Sequence, residues 1–346
     1  MVEEGHRLQR RSTIEGIMIR IGIVGTGPIA YIMSEAIKEN RDTQVFAVYS
    51  RTYEKGKEFA ERAGIERIYT DYEEMLNDPD VDLVYIASPN SLHYRQGIEA
   101  IRHKKNVIIE KPFSSNYNQT KKLIDLAEQK GVFLFEGMTI YQEPNYKLLK
   151  EKISQIGRVK EVQCCYMQYS HKYDDLLAGK EPNVFSLKYS GGALMDLGIY
   201  NIHFILGLFG EPRKIDYVCR KHENGIDLGG TLIMRYDDMN AVALAAKDVG
   251  GDNRNIIAGE NGYIIVDGGS NGHKPFTVCI GDQSERYDIV NNHSFLFSEL
   301  KAFADICISN NEAAMKGLWI YTESAMKVID RAKESANIVF AEDCDS

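Results

Sequence analysis

Residues 18–30 read M-I-R-I-G-I-V-G-T-G-P-I-A and decide the fold of the N-terminal part of the chain. The β-branched run in Ile19–Val24 predicts a buried strand. Apolar residues at helical spacing from Ile29 to Ile37 predict an amphipathic helix directly after the glycines. A strand, a glycine turn and a helix in this order are the context in which a G-x-G-x-x-G/A pattern predicts dinucleotide binding.

The residues of this turn have separate predicted roles. Gly25 allows the tight turn, Gly27 lets the backbone approach a pyrophosphate, and Ala30 allows the helix to pack closely on the strand. The phosphate charge is expected at the N–H groups that open the helix. The predicted cofactor contacts in this loop are Gly25, Thr26, Gly27, Pro28, Ile29 and Ala30.

Length and composition narrow the class of protein. A chain of 346 residues predicts two domains, because single cores stop growing near about 250–300 residues. The formal charge of -9 argues against a nucleic-acid or anionic membrane partner, and no apolar run approaches the ~20 residues of a transmembrane helix. The six cysteines have no metal-like spacing, so we expect reduced thiols, no bound metal and a cytoplasmic protein.

The first 17 residues are polar and of mixed charge. Arg10-Arg11-Ser12 is similar to the start of a twin-arginine export signal, but no apolar segment follows it. We expect residues 1–17 to be a disordered leader or an upstream extension, with Met18 as a candidate natural start, and we do not expect export.

The end of the second predicted strand, Gln44–Ser50, bears on the choice of cofactor. An NAD site would place Asp or Glu about twenty residues past the glycines, to accept from the ribose 2′-OH. Here Ser50 and Arg51 stand at the strand tip and can bind a 2′-phosphate, with Arg51 also able to stack on adenine. The sequence therefore predicts NADP over NAD. The alternative is a solvated Arg51 with Glu54 as a substitute acid.

Two further strand ends carry candidate contacts, because ligands bind at the carboxyl ends of parallel strands. The predicted strand over 81–87 ends in S-P-N-S-L-H, whose candidate cofactor contacts are Ser88, Pro89, Asn90 and His93. Asn90 is equally suited to cap the helix that follows. The next strand ends in Glu110-Lys111-Pro112, where Lys111 can polarise a carbonyl or be an ordinary surface lysine, and Glu110 can hold its ammonium or reach the cofactor.

The ordered motifs G-T-G-P-I-A, S-P-N-S-L-H, E-K-P-F and G-G-A-L-M-D-L-G-I-Y resemble the glucose–fructose oxidoreductase / inositol dehydrogenase / MocA (Gfo/Idh/MocA) family. The resemblance covers essentially everything from Met18 onward. The tyrosine in the last motif is most similar to the dimeric dihydrodiol dehydrogenase-like branch, which uses NADP.

This resemblance implies an α/β N-terminal Rossmann domain over 18–138, often with a cis bond before Pro112. It also implies an α+β C-terminal domain over 139–346 with a large, mainly antiparallel, open-faced sheet. The implied activity is hydride transfer between NAD(P) and a carbinol or carbonyl carbon of a sugar, polyol, dihydrodiol or related small molecule. The open sheet face implies a homodimer or a dimer of dimers.

The candidate catalytic residues are Lys111, Asp196 and Tyr200. On a helix from about Leu194, Asp196, Tyr200 and His203 fall on one face at i, i+4 and i+7, which a core helix does not favour. Tyr200 is expected to exchange the hydroxyl proton, with Lys111 favouring loss of that proton and Asp196 orienting the pair. His203 is the rival acid/base. Two alternatives remain open, a half-buried interface at this helix and a nucleotide-binding regulator without turnover.

Overall fold

A computed structural model describes residues 18–344. The described chain divides into two compact units. Of the described residues, the first unit contains 18–114, 118–137 and 292–320, and the second contains 115–117, 138–291 and 321–344. The predicted leader, residues 1–17, lies outside the described residues.

The first unit is built on a six-stranded parallel sheet. Its strands are β1 (Ile19–Val24), β2 (Thr43–Tyr49), β3 (Arg67–Tyr69), β4 (Leu83–Ile86), β5 (Asn106–Glu110) and β6 (Leu134–Gly137). The helices between them are α1 (Pro28–Glu39), α2 (Tyr53–Ala63), α3 (Tyr72–Asn77), α4 (Asn90–Arg102) and α5 (Tyr117–Lys130). The strand order β3-β2-β1-β4-β5-β6 reverses direction between β1 and β4, which is the switch point where such sheets bind dinucleotides. The predicted Rossmann fold is confirmed.

The second unit is built on an eight-stranded sheet in the order β14-β13-β12-β11-β7-β10-β9-β8. Its strands are β7 (Val159–Met167), β8 (Lys214–Lys221), β9 (Asp227–Arg235), β10 (Asn240–Ala246), β11 (Arg254–Gly259), β12 (Tyr263–Asp267), β13 (Phe276–Ile280) and β14 (Gln283–Tyr287). Every neighbouring pair is antiparallel except β7 with β10. The predicted large, mainly antiparallel sheet is confirmed.

The remaining helices follow the first sheet in the chain. They are α6 (Pro144–Lys152), α7 (His171–Leu177), α8 (Ile199–Phe209), α9 (Phe297–Ser309) and α10 (Glu312–Ser335). A π-helical turn, Leu194–Gly198, leads directly into α8. Short 3-10 turns are Thr139–Gln142, Ile153–Ile156, Asn183–Phe185, Leu187–Tyr189 and Ala341–Asp343.

Helix α8 forms the centre of the second core. Every residue from Ile199 to Gly207 is buried, because most of these residues are apolar and the helix lies in the core around the eight-stranded sheet. One described helical stretch, Leu187–Phe209, has the length and hydropathy of a membrane span, but 78% of its most apolar 18-residue part is buried inside the protein. Its apolar character is therefore accounted for by the core of this unit.

The C-terminal segment Asn292–Ile320 packs with the first unit, although the sequence assigned it to the second domain. Its apolar residues Leu300, Phe303 and Trp319 join the core around the parallel sheet. The Trp319 Nε1–H also donates to the Leu134 carbonyl oxygen of β6 at 2.8 Å. The local sequence of these helices carries no information on which sheet they cover.

Candidate active site

The loop between β1 and α1 has the conformation predicted for phosphate binding. Gly25 has φ +109°, and a Cβ built there would lie 2.6 Å from the Ala87 carbonyl oxygen, so the position requires glycine. Gly27 differs, because its φ of -76° suits any residue and a Cβ built on it meets no atom of residues 18–344 within 4 Å. Neither the backbone nor the packing requires glycine at position 27. Close approach of a ligand is the physical reason that is left.

The N-terminus of α1 fits a pyrophosphate. Pro28 opens the helix, and among the described residues no side chain caps it at Gly27, so the first N–H groups are available to an anion. No acidic side chain lies in the first turn to repel a phosphate. Thr26 and Ile29 are half-buried, and Ala30 is fully buried against the sheet, as expected for a small residue at the helix–strand contact.

Ser50 and Arg51 follow β2 at the predicted place for ribose recognition. The buried Ser50 is fixed by its N–H, which donates to the Tyr69 carbonyl oxygen at 3.0 Å. Arg51 and Glu54 are both exposed, so the guanidinium is accessible to a ligand. The contact of Arg51 with a 2′-phosphate stays a prediction.

His93 joins two of the predicted cofactor loops. Its Nδ1 lies 2.9 Å from the Pro112 carbonyl oxygen and its Nε2 lies 2.9 Å from the Ser88 carbonyl oxygen. Only 1% of its surface is exposed, and this burial lowers the pKa of His93, against the opposing effect of the two carbonyls. In this arrangement the imidazole ties the two loops together, a role that sequence reasoning missed. The cofactor contact of His93 stays a prediction.

The loop after β4 differs from expectation at the start of α4. The helix begins at Asn90 itself, and Pro89 occupies the capping position without a side-chain hydrogen bond. The alternative in which Asn90 caps this helix is therefore wrong. The Ser88 hydroxyl donates to Gln96 Oε1 at 2.6 Å, which holds the loop against α4. Cofactor contacts by Ser88, Pro89 and Asn90 stay predictions.

Glu110 ends β5 beside a second buried carboxylate, and Lys111 follows it directly. Burial raises the pKa of Glu110, while the Tyr85 hydroxyl that donates to it and the charge of Lys111 oppose the rise. The half-buried Lys111 is joined to Pro112 by a cis peptide bond, as the resemblance implied. Glu136, on β6, adds negative charge next to Glu110 and was not singled out from the sequence. This edge of the sheet thus combines an ammonium with two carboxylates.

Asp227 fixes the start of the helical segment that carries the other candidates. Its Oδ2 accepts from the Leu194 N–H at 2.7 Å and from the Tyr217 hydroxyl at 2.8 Å. Gly192 has φ +102°, and a Cβ there would clash with the Asp227 carboxylate. Burial raises the pKa of Asp227, and the two hydrogen bonds oppose the rise. Sequence reasoning missed Asp227 because its partner lies 33 residues away.

Asp196 forms an ion pair with Lys247, which directly follows β10. The Lys247 side chain is 8% exposed and that of Asp196 is 30% exposed. The sequence predicted that Asp196 would orient Lys111 and Tyr200, and it did not identify Lys247. The available signal was a lysine at the end of the apolar strand A-V-A-L-A-A, the same pattern that pointed to Lys111.

Tyr200 lies four residues beyond Asp196, on the first turn of α8, with 9% of its surface exposed. Its ring packs on Tyr166 of β7 with centroids 5.8 Å apart, and the Tyr166 hydroxyl accepts from Asn271 Nδ2 at 2.9 Å. The π-helical turn changes the spacing on which the sequence prediction relied, because it adds a residue to one turn. Through their contacts with Tyr200 and with each other, Tyr166 and Asn271 are further polar residues of this region that the sequence did not reveal.

His203 is fully buried, with Nδ1 2.9 Å from the Tyr141 hydroxyl. Its ring meets the Tyr141 ring edge-on at a centroid distance of 5.6 Å. These contacts place the imidazole in the core of the second unit, which argues against the rival acid/base assignment. The described residues contain no group of His, Cys, Asp and Glu suited to hold a metal ion.

Two family models match the chain. One is described as oxidoreductase family, NAD-binding Rossmann fold, and matches residues 19–138. The other is described as GFO/IDH/MocA C-terminal domain and matches residues 146–265. Their order along the chain is that of the two sheets described above.

Curated relatives carry the same relationship over most of the chain. The scyllo-inositol 2-dehydrogenase (NADP(+)) IolU of Bacillus subtilis (strain 168) is 33% identical over 329 residues, which cover 94% of this chain and 99% of the relative. The trans-1,2-dihydrobenzene-1,2-diol dehydrogenase of Xenopus tropicalis is 28% identical over 275 residues, covering 78% of this chain and 80% of the relative.

A solved structure shares the fold. The 3-ketoreductase KijD10 from Actinomadura kijaniata, crystallised with NADP and TDP-benzene, superposes with a TM-score of 0.82 at 21% identity, over 92% of this chain and 97% of that one. With the two family models and a relative more than 30% identical along nearly the whole length, the relationship is established. The chain belongs to the GFO/IDH/MocA family of oxidoreductases and binds a nicotinamide dinucleotide through its N-terminal Rossmann domain.

Proposed function

We propose that this protein is an NADP-dependent dehydrogenase that oxidises a ring carbon bearing a hydroxyl group, with a second hydroxyl on the neighbouring carbon. The observation that carries the proposal is a carboxylate and a phenol, Asp196 and Tyr200, on one helical segment of the second unit. Asp227 fixes the start of this segment. Two relatives support the substrate class, since their names describe an inositol and a cyclic diol.

The preference for NADP is supported by the exposed Arg51 at the ribose position and by the absence of an acid at the tip of β2. It is also in line with the NADP(+) in the name of IolU. When bound, the nicotinamide supplies or accepts a hydride at its C4.

Each protein group then has one task. Tyr200 exchanges the proton of the reacting hydroxyl. Asp196 accepts a hydrogen bond from the neighbouring substrate hydroxyl, which its 30% exposed side chain allows. A carboxylate in this role favours neutral polyhydroxy compounds over anionic ones.

The test is a panel of cyclic polyols, dihydrodiols, aldoses and dicarbonyls, assayed by the absorbance change of NADPH. We expect NADP-dependent turnover with at least one cyclic polyol or diol, and its loss in a Tyr200→Phe variant that still binds NADPH. Tight binding of NADP(H) without turnover of any compound would instead favour the regulator.

We further propose a homodimer formed through the outer face of the eight-stranded sheet. A row of partly exposed apolar side chains crosses this face from β9 to β12, interrupted only by Gln163, and consists of Ile233, Val242, Ile256 and Ile265. Leu244, 37% exposed, extends the row along β10. A second copy of the same face is the proposed occupant, since such an apolar surface favours association. The cytoplasmic location predicted from the cysteines stays a proposal.

A further inference from the structure

Lys247 is held rigidly at the end of β10. Its N–H donates to the Leu228 carbonyl oxygen at 2.8 Å, and its carbonyl oxygen accepts from the Ser170 N–H at 2.9 Å. The backbone is therefore fixed from both sides, by β9 and by the segment that follows β7. The direction of the Lys247 side chain follows from the sheet rather than from a flexible loop.

The same end of β10 is fastened to the helical segment that carries the candidate catalytic groups. Asn201 Nδ2 donates to the Leu244 carbonyl oxygen at 2.8 Å, and Asn201 Oδ1 accepts from the Ser270 hydroxyl at 2.6 Å. A Cβ built on Gly198 would meet the Ala245 side chain at 3.7 Å, which shows how closely strand and helix pack. The Lys247 ammonium therefore lies beside the segment from Asp196 to Tyr200.

The ion pair is asymmetric in its exposure. The Lys247 side chain is only 8% exposed, so its ammonium has little access to water and needs an acceptor. Among the described residues, Asp196 is the side chain that supplies one. Asp196, at 30% exposure, keeps an edge that a ligand can reach. The buried partner therefore orients the accessible one.

We propose that Lys247 is a positioning residue, which holds the Asp196 carboxylate turned so that it accepts a hydrogen bond from a substrate hydroxyl. This inference rests on the proposed function and deepens it. Lys247 does not touch the reacting atoms, so its effect on turnover passes through Asp196. Removal of the ammonium is expected to change substrate handling without changing the dinucleotide site of the first unit.

The experiment is a double-mutant cycle with Lys247→Met, Asp196→Asn and the combined variant, together with Lys247→Arg. The probe is scyllo-inositol, or whichever panel compound the wild-type protein oxidises fastest. Lys247→Met should lower kcat/KM by about ten- to a hundred-fold, as for loss of a charge-assisted hydrogen bond. The combined variant should be no worse than Asp196→Asn alone, because both changes remove one interaction. Lys247→Arg should restore most of the activity.

The matched control is Arg220→Met. Arg220 pairs with Asp248, the residue next to Lys247, but its side chain is 61% exposed, so this change should leave kcat/KM unaltered. NADPH affinity, titrated for every variant, should agree with the wild-type value within about two-fold, since the energetic coupling stays local. This titration also shows that a variant is folded.

Independent losses in the combined variant would overturn the inference, as would a Lys247→Met protein of normal turnover. If Lys247→Met does not fold, the activity of Lys247→Arg is compared with that of Asp196→Asn instead. A Lys247→Arg protein as inactive as Asp196→Asn would contradict the inference, because a positioning cation can be replaced by arginine. A wild-type protein that oxidises no panel compound refutes the proposed function and this inference with it. An active wild-type protein with independent losses refutes the inference alone.

Discussion

Replacement of Arg51 by alanine should separate the two nicotinamide cofactors. The guanidinium is exposed at the end of β2, so any pairing with a 2′-phosphate takes place in partly wet surroundings. A hydrogen bond to a charged group contributes about 1.5–3 kcal/mol, which corresponds to a loss of roughly ten- to a hundred-fold in NADPH affinity. NADH lacks the phosphate, and its affinity should stay within about two-fold, because no charged contact is lost.

The assay is a fluorescence titration of each cofactor at two salt concentrations, since a phosphate–guanidinium contact weakens as salt rises. Arg41→Ala is the matched control, because it removes the same net charge from a side chain that is 93% exposed in the turn after α1. Equal losses of NADPH and NADH affinity in Arg51→Ala, or an equal effect of Arg41→Ala, would refute the assignment of Arg51 to the phosphate.

Three further predictions follow from single contacts. Gly25→Ala should lower the free energy of unfolding by about 1–3 kcal/mol, because of the positive φ of Gly25 and the nearby Ala87 oxygen. Gly27→Ala should leave the free energy of unfolding unchanged and weaken NADPH binding. Thermal melts and NADPH titrations of the two variants check both outcomes. Burial raises the pKa of Asp227, so the folded protein binds a proton there more tightly than the unfolded chain does. The stability of the wild-type protein relative to Asp227→Asn should therefore fall as pH rises above the ordinary aspartate pKa of about 4. A difference in urea unfolding that stays constant with pH would contradict this. Leu244→Lys should yield monomers by light scattering while Ile320→Lys, an exposed apolar site of the first unit, leaves the dimer intact.

Local signals in the sequence predicted the elements that local physics controls. Strand β1, the glycine turn and helix α1 occur as expected. Each depends on periodicity and turn chemistry within a few residues. The strand, turn and helix that carry the predicted phosphate contacts were therefore accessible to sequence reasoning, while the contacts themselves stay predictions.

The contacts that fix Asp196 and the start of its helical segment are long-range, and the sequence did not reveal them. Lys247 reaches Asp196 across 51 residues, and Asp227 accepts from Leu194 across 33. Neither pair has a sequence pattern, since strand register and packing bring the partners together. The π-helical turn at Leu194–Gly198 is equally invisible to a search for regular helical spacing.

The most direct test of the account is the rate of NADP reduction by a saturating cyclic polyol in Tyr200→Phe, compared with wild type and with Tyr166→Phe. Tyr166 is the matched control, because its ring packs on Tyr200 but its hydroxyl binds Asn271. We expect Tyr200→Phe to be slower by about 10²–10⁴-fold, the usual contribution of a positioned acid–base group, with unchanged NADPH affinity and a much smaller effect of Tyr166→Phe. Near-normal turnover in Tyr200→Phe would contradict the assignment of the proton transfer to this residue.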